Sequence, residues 1–490
     1  MVLDQYTQNI IIRNSKELVK NAKINSENGY IADVSALSQI NTTDNLVKKQ
    51  IISPGFINLH SHLAYTHLDL EPKNLFAWLK DLMHKVQNES FNPMEASLAG
   101  ARLALSTGTT FLVDNTSHLA ASVKAFQKTG LRGIIGLELF GSDPQQAKTI
   151  LNKALEELRL MTLSLKAQRF DEVPEQCHKI QFALSPHSLY SVSSELMQEA
   201  QVFLSNLSKE STVSDLLPIL LMHFAEDELE EKYFSGVDFR RNHLIGDGFE
   251  GSLLHDEQEL TLMYDFWESL GVLDLKKRYR KQARSSWDYF KKYVLSAENG
   301  VKYQSIKYLL THAINLSETE IKELANYPEI SLVSCPRSNQ FLKHNNAQIA
   351  LWEKYGTYEP SKNVEDRVEH RSYNYGLGTD SKASNYDLDL RSELKVLLET
   401  VRNAGIGVSQ QYLELTSQRQ FELLTSSAAK AIGMEDKIGS LEEAKYADYV
   451  VFEVMDDNLD LDLVDPYALV LDGEKTRVKE VYVGGDLISI

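Results

Sequence analysis

Short apolar runs of strand length recur along the chain, each followed by polar residues and then a segment of helical periodicity. In order they are IISPGFINLH (51–60), TTFLVD (109–114), LRGIIGLELF (131–140), IQFALSPH (180–187), LPILLMHF (217–224), IKYLLTHA (306–313), ISLVSCP (330–336) and YNYGLGTD (373–380). Several are near-continuous rather than alternating, as expected of strands buried on both faces of a parallel sheet. Between them lie helical patterns such as MEASLAGARLALSTG (94–108) and SSELMQEAQVFLSNL (193–207). Eight strands alternating with helices is the count of a (β/α)8 TIM-type barrel. A doubly wound open sheet shows the same alternation but favours a glycine-rich turn after its first strand. Here that strand ends in His60-Ser61-His62, which favours the barrel.

The chain ends read differently. NIIIRN (9–14), ADYVVFEV (447–454) and VKEVYVGG (478–485) are short strand-like pieces. Neither end is long enough to form a layered domain alone, so residues 1–50 and 436–490 are expected to combine into a small β-sandwich beside a barrel of residues 51–435. Two stretches read as insertions. Residues 237–300 carry helical pieces and a basic run, LKKRYRKQAR (275–284), best read as a solvated helix face. Residues 356–372 are polar and read as a surface loop.

Composition narrows the partners. A net charge of −18 argues against a sequence-independent grip on nucleic acid, which needs cationic side chains against phosphates, and against an anionic membrane surface. Two cysteines, Cys177 and Cys335, leave no room for a disulfide framework or a Cys-based zinc site. The opening MVLDQYTQNIII has no cationic start followed by a long apolar run, and no window has about 18 uninterrupted apolar residues. The expectation is a cytoplasmic protein acting on a small molecule. The oligomeric state stays open, a homodimer among the options.

With 13 histidines in 490 residues, a His-x-His pair arises by chance roughly 0.3 times, so His60 and His62 carry little weight alone. Their position carries more. Residues two apart in a strand share a face, so the pair can chelate one ion from a strand end. In a barrel the C-terminal strand ends form the active-site face. The fourth strand ends at His187, the fifth in His223-Phe224-Ala225-Glu226, the sixth near His312 and the eighth at Asp380. Imidazoles and a carboxylate gathered at one mouth suit a single divalent cation, zinc first, with Fe²⁺ or Mn²⁺ also fitting.

PGFINLHSH, GTT followed by Asp114, SPHSLYSVS, HFAE, HAINL, CPRSN and GLGTDSKASN occur in this order, with IGSLEEAKYADYVVFE (438–453) leading back to the terminal strands. Together they resemble the amidohydrolase superfamily, in its branch of adenosine-type, cytosine and guanine deaminases and triazine chlorohydrolases, over nearly the whole chain. The resemblance implies His60, His62, His223 and Asp380 as metal ligands. It implies Glu226 as proton shuttle, His312 as the group that orients the attacking water, and His187 as a hydrogen-bond partner of the substrate ring. Asp380 would accept a proton from the water. Family members that bind two metals use a carboxylated lysine on the fourth strand; IQFALSPH has none, so one metal is expected.

Further positions are weighed against bland alternatives. Trp78 in NLFAWLKDL resembles a family position near the substrate, with a core helix residue as the alternative. Ser338 and Asn339 in CPRSN are expected to shape the site, Ser338 against the substrate. Arg132, at a strand start, is read as structural rather than as a contact to a substrate hydroxyl or carboxylate. Asp114 is read as structural or supporting, and His67 as a loop residue. NLFAWL, ELFG (138–141) and HFAEDELEEKYFSG resemble aminofutalosine deaminases, whereas HLAYTHLDL and the 237–300 insertion depart from them. The expected activity is deamination of an aminopurine nucleoside-like compound. Other ring C–N or C–Cl hydrolysis and a non-catalytic relative are the alternatives.

Overall fold

The structure, a computed structural model, describes residues 7–36, 48–87, 90–167, 180–207, 213, 215–235, 261, 283–296, 306–356, 374–403 and 415–489. The expected insertion at 237–300 lies outside these residues except for 261 and 283–296, and that at 356–372 except for 356; residues 275–282 of the basic run and Cys177 also lie outside. Five strands open the chain: β1 (Thr7–Ile12), β2 (Leu18–Lys20), β3 (Ala22–Glu27), β4 (Tyr30–Ala36) and β5 (Lys48–Pro54). Eight follow: β6 (Phe56–Ser61), β7 (Thr109–Thr116), β8 (Arg132–Leu139), β9 (Ile180–Pro186), β10 (Leu216–Phe224), β11 (Lys307–His312), β12 (Ile330–Ser334) and β13 (Asn374–Leu377). Three end it: β14 (Tyr449–Val454), β15 (Thr476–Val483) and β16 (Asp486–Ile488).

Strands β6 to β13 form one parallel sheet in chain order, the (β/α)8 barrel. One strand boundary needs correction. Residues 51–60, read as a single strand, belong to two: β5 pairs in the other sheet and β6 starts the barrel. The break falls at Pro54-Gly55. A Cβ at Gly55 would stand 1.9 Å from Thr110 Oγ1, so only glycine lets the backbone cross this close to β7.

Alternation along β10 sets what enters the barrel mouth. Leu220, Met222 and Phe224 pack in one cluster with Leu196, Ala200 and Leu204 of the helix Ser194–Ser205. Ile219 and Leu221 pack in another with Val113, Ile134, Leu309 and Val333. By the two-residue period His223 shares the side of Leu221. The helix itself starts where Ser193 accepts a hydrogen bond from the Leu196 N–H, a standard N-terminal cap.

The remaining strands bring both chain ends together in a six-stranded sheet, ordered β16-β15-β14-β5-β1-β2. Its runs are apolar on both faces for a reason. Ile10, Ile12, Ile51, Val450 and Phe452 join the cluster shared with the barrel, while Ile11, Ile52 and Val451 pack with Ala22, Ile24 and Ile31 of the β3–β4 hairpin. The sandwich thus has one broad layer and one narrow one. Among the described residues no helix is long and apolar enough to cross a membrane.

Arg132 is a structural clamp. At the start of β8 its Nε and Nη2 donate to Asp448 at 2.7 and 3.2 Å, its guanidinium lies 3.8 Å from the Tyr446 ring centroid, and Gly484 N–H donates to the same carboxylate at 2.7 Å. The pair is buried and ties the barrel's floor to the terminal sheet. Removing one member of such a pair strands the other charge in a poorly solvated place. Arg132→Met should lower stability by about 3–5 kcal/mol, read as the shift in urea unfolding against the wild-type protein.

Candidate active site

The barrel closes at its mouth between β13 and β6. The N–H groups of Thr379 and Asp380 both donate to the His60 carbonyl, at 3.1 and 3.0 Å, and Ser61 forms a parallel bridge with Asp380. Asn58 secures the same seam, donating to Thr379 Oγ1 at 2.7 Å and accepting from the Thr379 N–H at 3.2 Å. The approach requires Gly378, where a Cβ would stand 2.7 Å from His60 Cβ and 2.9 Å from His60 N.

This seam brings three of the expected residues together, and β10 adds a fourth. Nε2 of His60 and of His62 lie 3.5 and 3.6 Å from Asp380 Oδ1. His62 Nε2 and His223 Nε2 are 3.2 Å apart. The ligand-capable atoms of His60, His62 and His223 all lie within 4.8 Å of one another. Two nitrogens about 2.0–2.1 Å from one tetrahedral cation stand about 3.3 Å apart, so the His62–His223 spacing fits a shared ion. The buried His60 Nε2 has no hydrogen-bond partner, a second sign that it is aimed at a ligand.

Hydrogen bonds on the far nitrogens set the rings. His223 Nδ1–H donates to the His187 carbonyl at 2.9 Å, which leaves its Nε2 lone pair free. His60 Nδ1 sits 3.0 Å from the Asn115 amide and 3.3 Å from Thr311 Oγ1. Asp380 Oδ2 accepts from Ser338 and Ser384 at 2.6 and 2.9 Å, so Oδ1 is the oxygen left for the imidazoles.

The protonation states suit a cation. Burial, then the charge of His60, lowers His223 to about 4. Burial lowers His60 as well, although Asp380 opposes it, and holds His62 well below its ordinary value. Burial works to raise Asp380, but His60, His62 and His312 outweigh it and hold the carboxyl well below its usual range. Neutral imidazoles and an ionised carboxylate are the forms that ligate a metal.

Glu226 and His312 flank this cluster. Glu226 Oε1 lies 3.5 Å from His312 Nε2, and burial raises the Glu226 carboxyl. Its backbone N–H donates to Glu230 at 3.0 Å. His312 is lowered to about 4 by burial, against Asp380 and Asn339. Its Nδ1–H donates to Asn339 Oδ1 at 3.0 Å, leaving Nε2 as an acceptor toward the mouth. His187 is partly exposed there, with Nδ1 2.9 Å from Ser191 Oγ and its ring 4.6 Å from Phe140.

Two residues expected against the substrate have partners within the protein. Ser338 donates to Asp380, because the helix Pro336–Phe341 starts beside the end of β13. Trp78 is buried with Leu70, Tyr190, Leu229 and Phe341, and its Nε1–H donates to the Ala383 carbonyl at 3.1 Å. His67 is exposed on the first loop. Asp114 is buried and accepts from the Leu63 N–H at 2.8 Å, fixing the chain just after His62.

Sequence reasoning overlooked four groups. Asn115 and Ser384 were detectable only through their partners. His344, 3.4 Å from Asp227, lies nine-tenths buried beside Glu226. Glu138, on β8, faces His62 Nδ1 at 3.8 Å; it lies in the ELFG segment, where it read as a similarity and not as a side chain entering the mouth.

The model of the amidohydrolase family matches residues 51–232 and 290–488. The chain is 25% identical over 457 residues to the 5-methylthioadenosine/S-adenosylhomocysteine deaminase of Haloquadratum walsbyi, covering 89% of this chain and 80% of that protein. Its fold is similar to that of Helicobacter pylori aminofutalosine deaminase solved with methylthio-coformycin, at TM-score 0.65 and 18% identity over 99% of each chain. It is equally similar to an atrazine chlorohydrolase of Arthrobacter aurescens complexed with zinc, at TM-score 0.65 and 17% identity over 98% and 94% of the two chains.

The seam gives a direct test. Gly378→Ala forces β13 off β6 at the point where Asp380 meets the histidines. The expected cost is about 1–3 kcal/mol of stability from overpacking, with weaker divalent-metal binding in a chelator competition than the wild-type protein shows.

Proposed function

The chain belongs to the amidohydrolase family, and from that premise we propose that it is a hydrolytic deaminase of an aminopurine nucleoside-like compound. It works with one divalent cation, zinc, held by His60, His62, His223 and Asp380. The observation that carries this reading is the convergence of three buried imidazoles within 4.8 Å, with Asp380 on one side and the Glu226–His312 pair on the other. The similarity to a methylthioadenosine/S-adenosylhomocysteine deaminase supports the substrate class. The two cysteines, too few for a disulfide framework, support a reducing, cytoplasmic location.

When bound, the cation lowers the pKa of a coordinated water and makes hydroxide available at neutral pH. The residues divide the rest of the work. His312, neutral and donating to Asn339, accepts a hydrogen bond through Nε2 and aligns the water with the ring carbon. Asp380 takes the water's proton on Oδ1, while Ser338 and Ser384 keep Oδ2 in place. Glu226 protonates the adjacent ring nitrogen as the new C–O bond forms. Glu226 then carries the proton of the new hydroxyl to the exocyclic amine, the C–N bond breaks, ammonia leaves with a carbonyl in its place, and the proton held on Asp380 resets Glu226. Phe140 and His187 offer the flat, partly apolar surface on which a heteroaromatic ring rests.

A metal-loaded preparation should release ammonia from at least one of 6-aminofutalosine, adenosine and S-adenosylhomocysteine. It should bind about one metal per chain. Glu226→Gln should lose roughly 10²–10⁴-fold in turnover and keep its metal. Absence of ammonia from all three compounds would sink the substrate class. Chloride release from a chlorotriazine under the same conditions would move the assignment to ring C–Cl hydrolysis, and inactivity with a full metal complement would favour a non-catalytic relative.

A further inference from the structure

The three clustered imidazoles differ in what holds their far nitrogens. His223 Nδ1 has the His187 carbonyl, and His60 Nδ1 has Asn115 and Thr311. His62 Nδ1 is buried and makes no well-formed hydrogen bond, with the Asn115 backbone as its nearest polar neighbour besides a carboxylate. The carboxylate that faces it is Glu138, with Oε1 at 3.8 Å and a side chain only 3% exposed. Glu138 reaches the mouth from β8, and its other oxygen accepts from Ser117 Oγ at 2.9 Å. Its charged neighbours Asp114 and Asp380 are both acidic. Among the described residues the basic group paired with it is His62.

A separation of 3.8 Å is outside hydrogen-bond range. The terminal torsion of a glutamate is soft, so a small rotation about the Ser117-held oxygen closes the gap. A buried carboxylate with acidic neighbours gains most from a partner that brings positive charge, and an imidazole on a divalent cation is such a partner.

We propose that Glu138 is a positioning residue for the metal centre: it accepts the Nδ1–H of His62, fixes that ring's tautomer and tilt, and so presents Nε2 to the cation. Carboxylates in this relation to a ligating histidine raise its basicity and hold its orientation. The assignment rests on His62 being a ligand, and it predicts behaviour that the ligand set alone does not.

The experiment is a chelator competition for Zn²⁺ on the wild-type protein, Glu138→Gln and Glu138→Ala, with steady-state kinetics at saturating zinc. Zinc affinity should fall roughly tenfold in the Gln variant, which keeps the shape and a neutral acceptor, and toward a hundredfold in the Ala variant. KM at full metal occupancy should stay within about twofold of wild type, since a residue acting through His62 leaves substrate contacts alone. The Gln variant conserves volume, so it reports on the charge even where the Ala variant fails to fold. Unchanged zinc affinity in both variants overturns the proposal. So does a raised KM with zinc affinity intact, which would put Glu138 against the substrate. A wild-type protein that binds no zinc would remove the metal reading itself, and this inference with it.

Discussion

Everything at the mouth depends on one carbonyl. The His60 oxygen accepts from two successive N–H groups of the eighth barrel strand's end, Thr379 and Asp380, and so joins the first strand to the last. This bond pair does two jobs. It removes the open edge that a parallel sheet would otherwise expose, and it carries Asp380 to the end of the strand that bears His60 and leads directly into His62. Hydroxyls from Ser338 and Ser384 then turn the carboxylate so that one oxygen remains for the imidazoles. Barrel closure and the assembly of the proposed ligand set are the same event.

Local strain accompanies that assembly. Ala225, His312, Ala313 and Asp380 are non-glycine residues in the left-handed region, with φ of 47°, 75°, 47° and 56°. All four lie at C-terminal strand ends. Each such residue costs on the order of 1–3 kcal/mol and persists only where its neighbours over-determine it. Here they do. The Ala313 N–H donates to Phe224, and the Ile314 and Asn315 N–H groups both donate to the Ala225 carbonyl. The backbone bends sharply after the strands, and the bends place Glu226 and His312 beside each other instead of on diverging loops.

The barrel was readable because its strands are buried on both faces, which writes them as apolar runs, and because its polar residues sit where those runs stop. His60, His62, His187, His223, His312 and Asp380 were all found this way. What escaped notice depends on pairing between distant strands. Glu138 meets His62, Asn115 meets His60 and Ser384 meets Asp380 across the mouth, and nothing local in the chain announces those partners. The run 51–60 misled for a related reason: Pro54-Gly55 interrupts pairing without interrupting hydrophobicity, so two strands of different sheets read as one. The hydroxyl of Ser338 has its partner in Asp380, a contact set by how the eighth strand's end meets the helix Pro336–Phe341 and by nothing local in CPRSN.

The terminal sheet has a consequence for how the chain is made. Strand β5 lies between β1 and β14, with Ile52 facing Ile11 on one side and Val451 on the other. Its second neighbour leaves the ribosome only after the whole barrel has been synthesised. Until then an early apolar strand waits with one unpaired edge, in a chain whose long-range pairings are intrinsically slow to form. Completion of this protein is therefore a late, whole-chain event, and its vulnerable period is the interval between the first strands and the last.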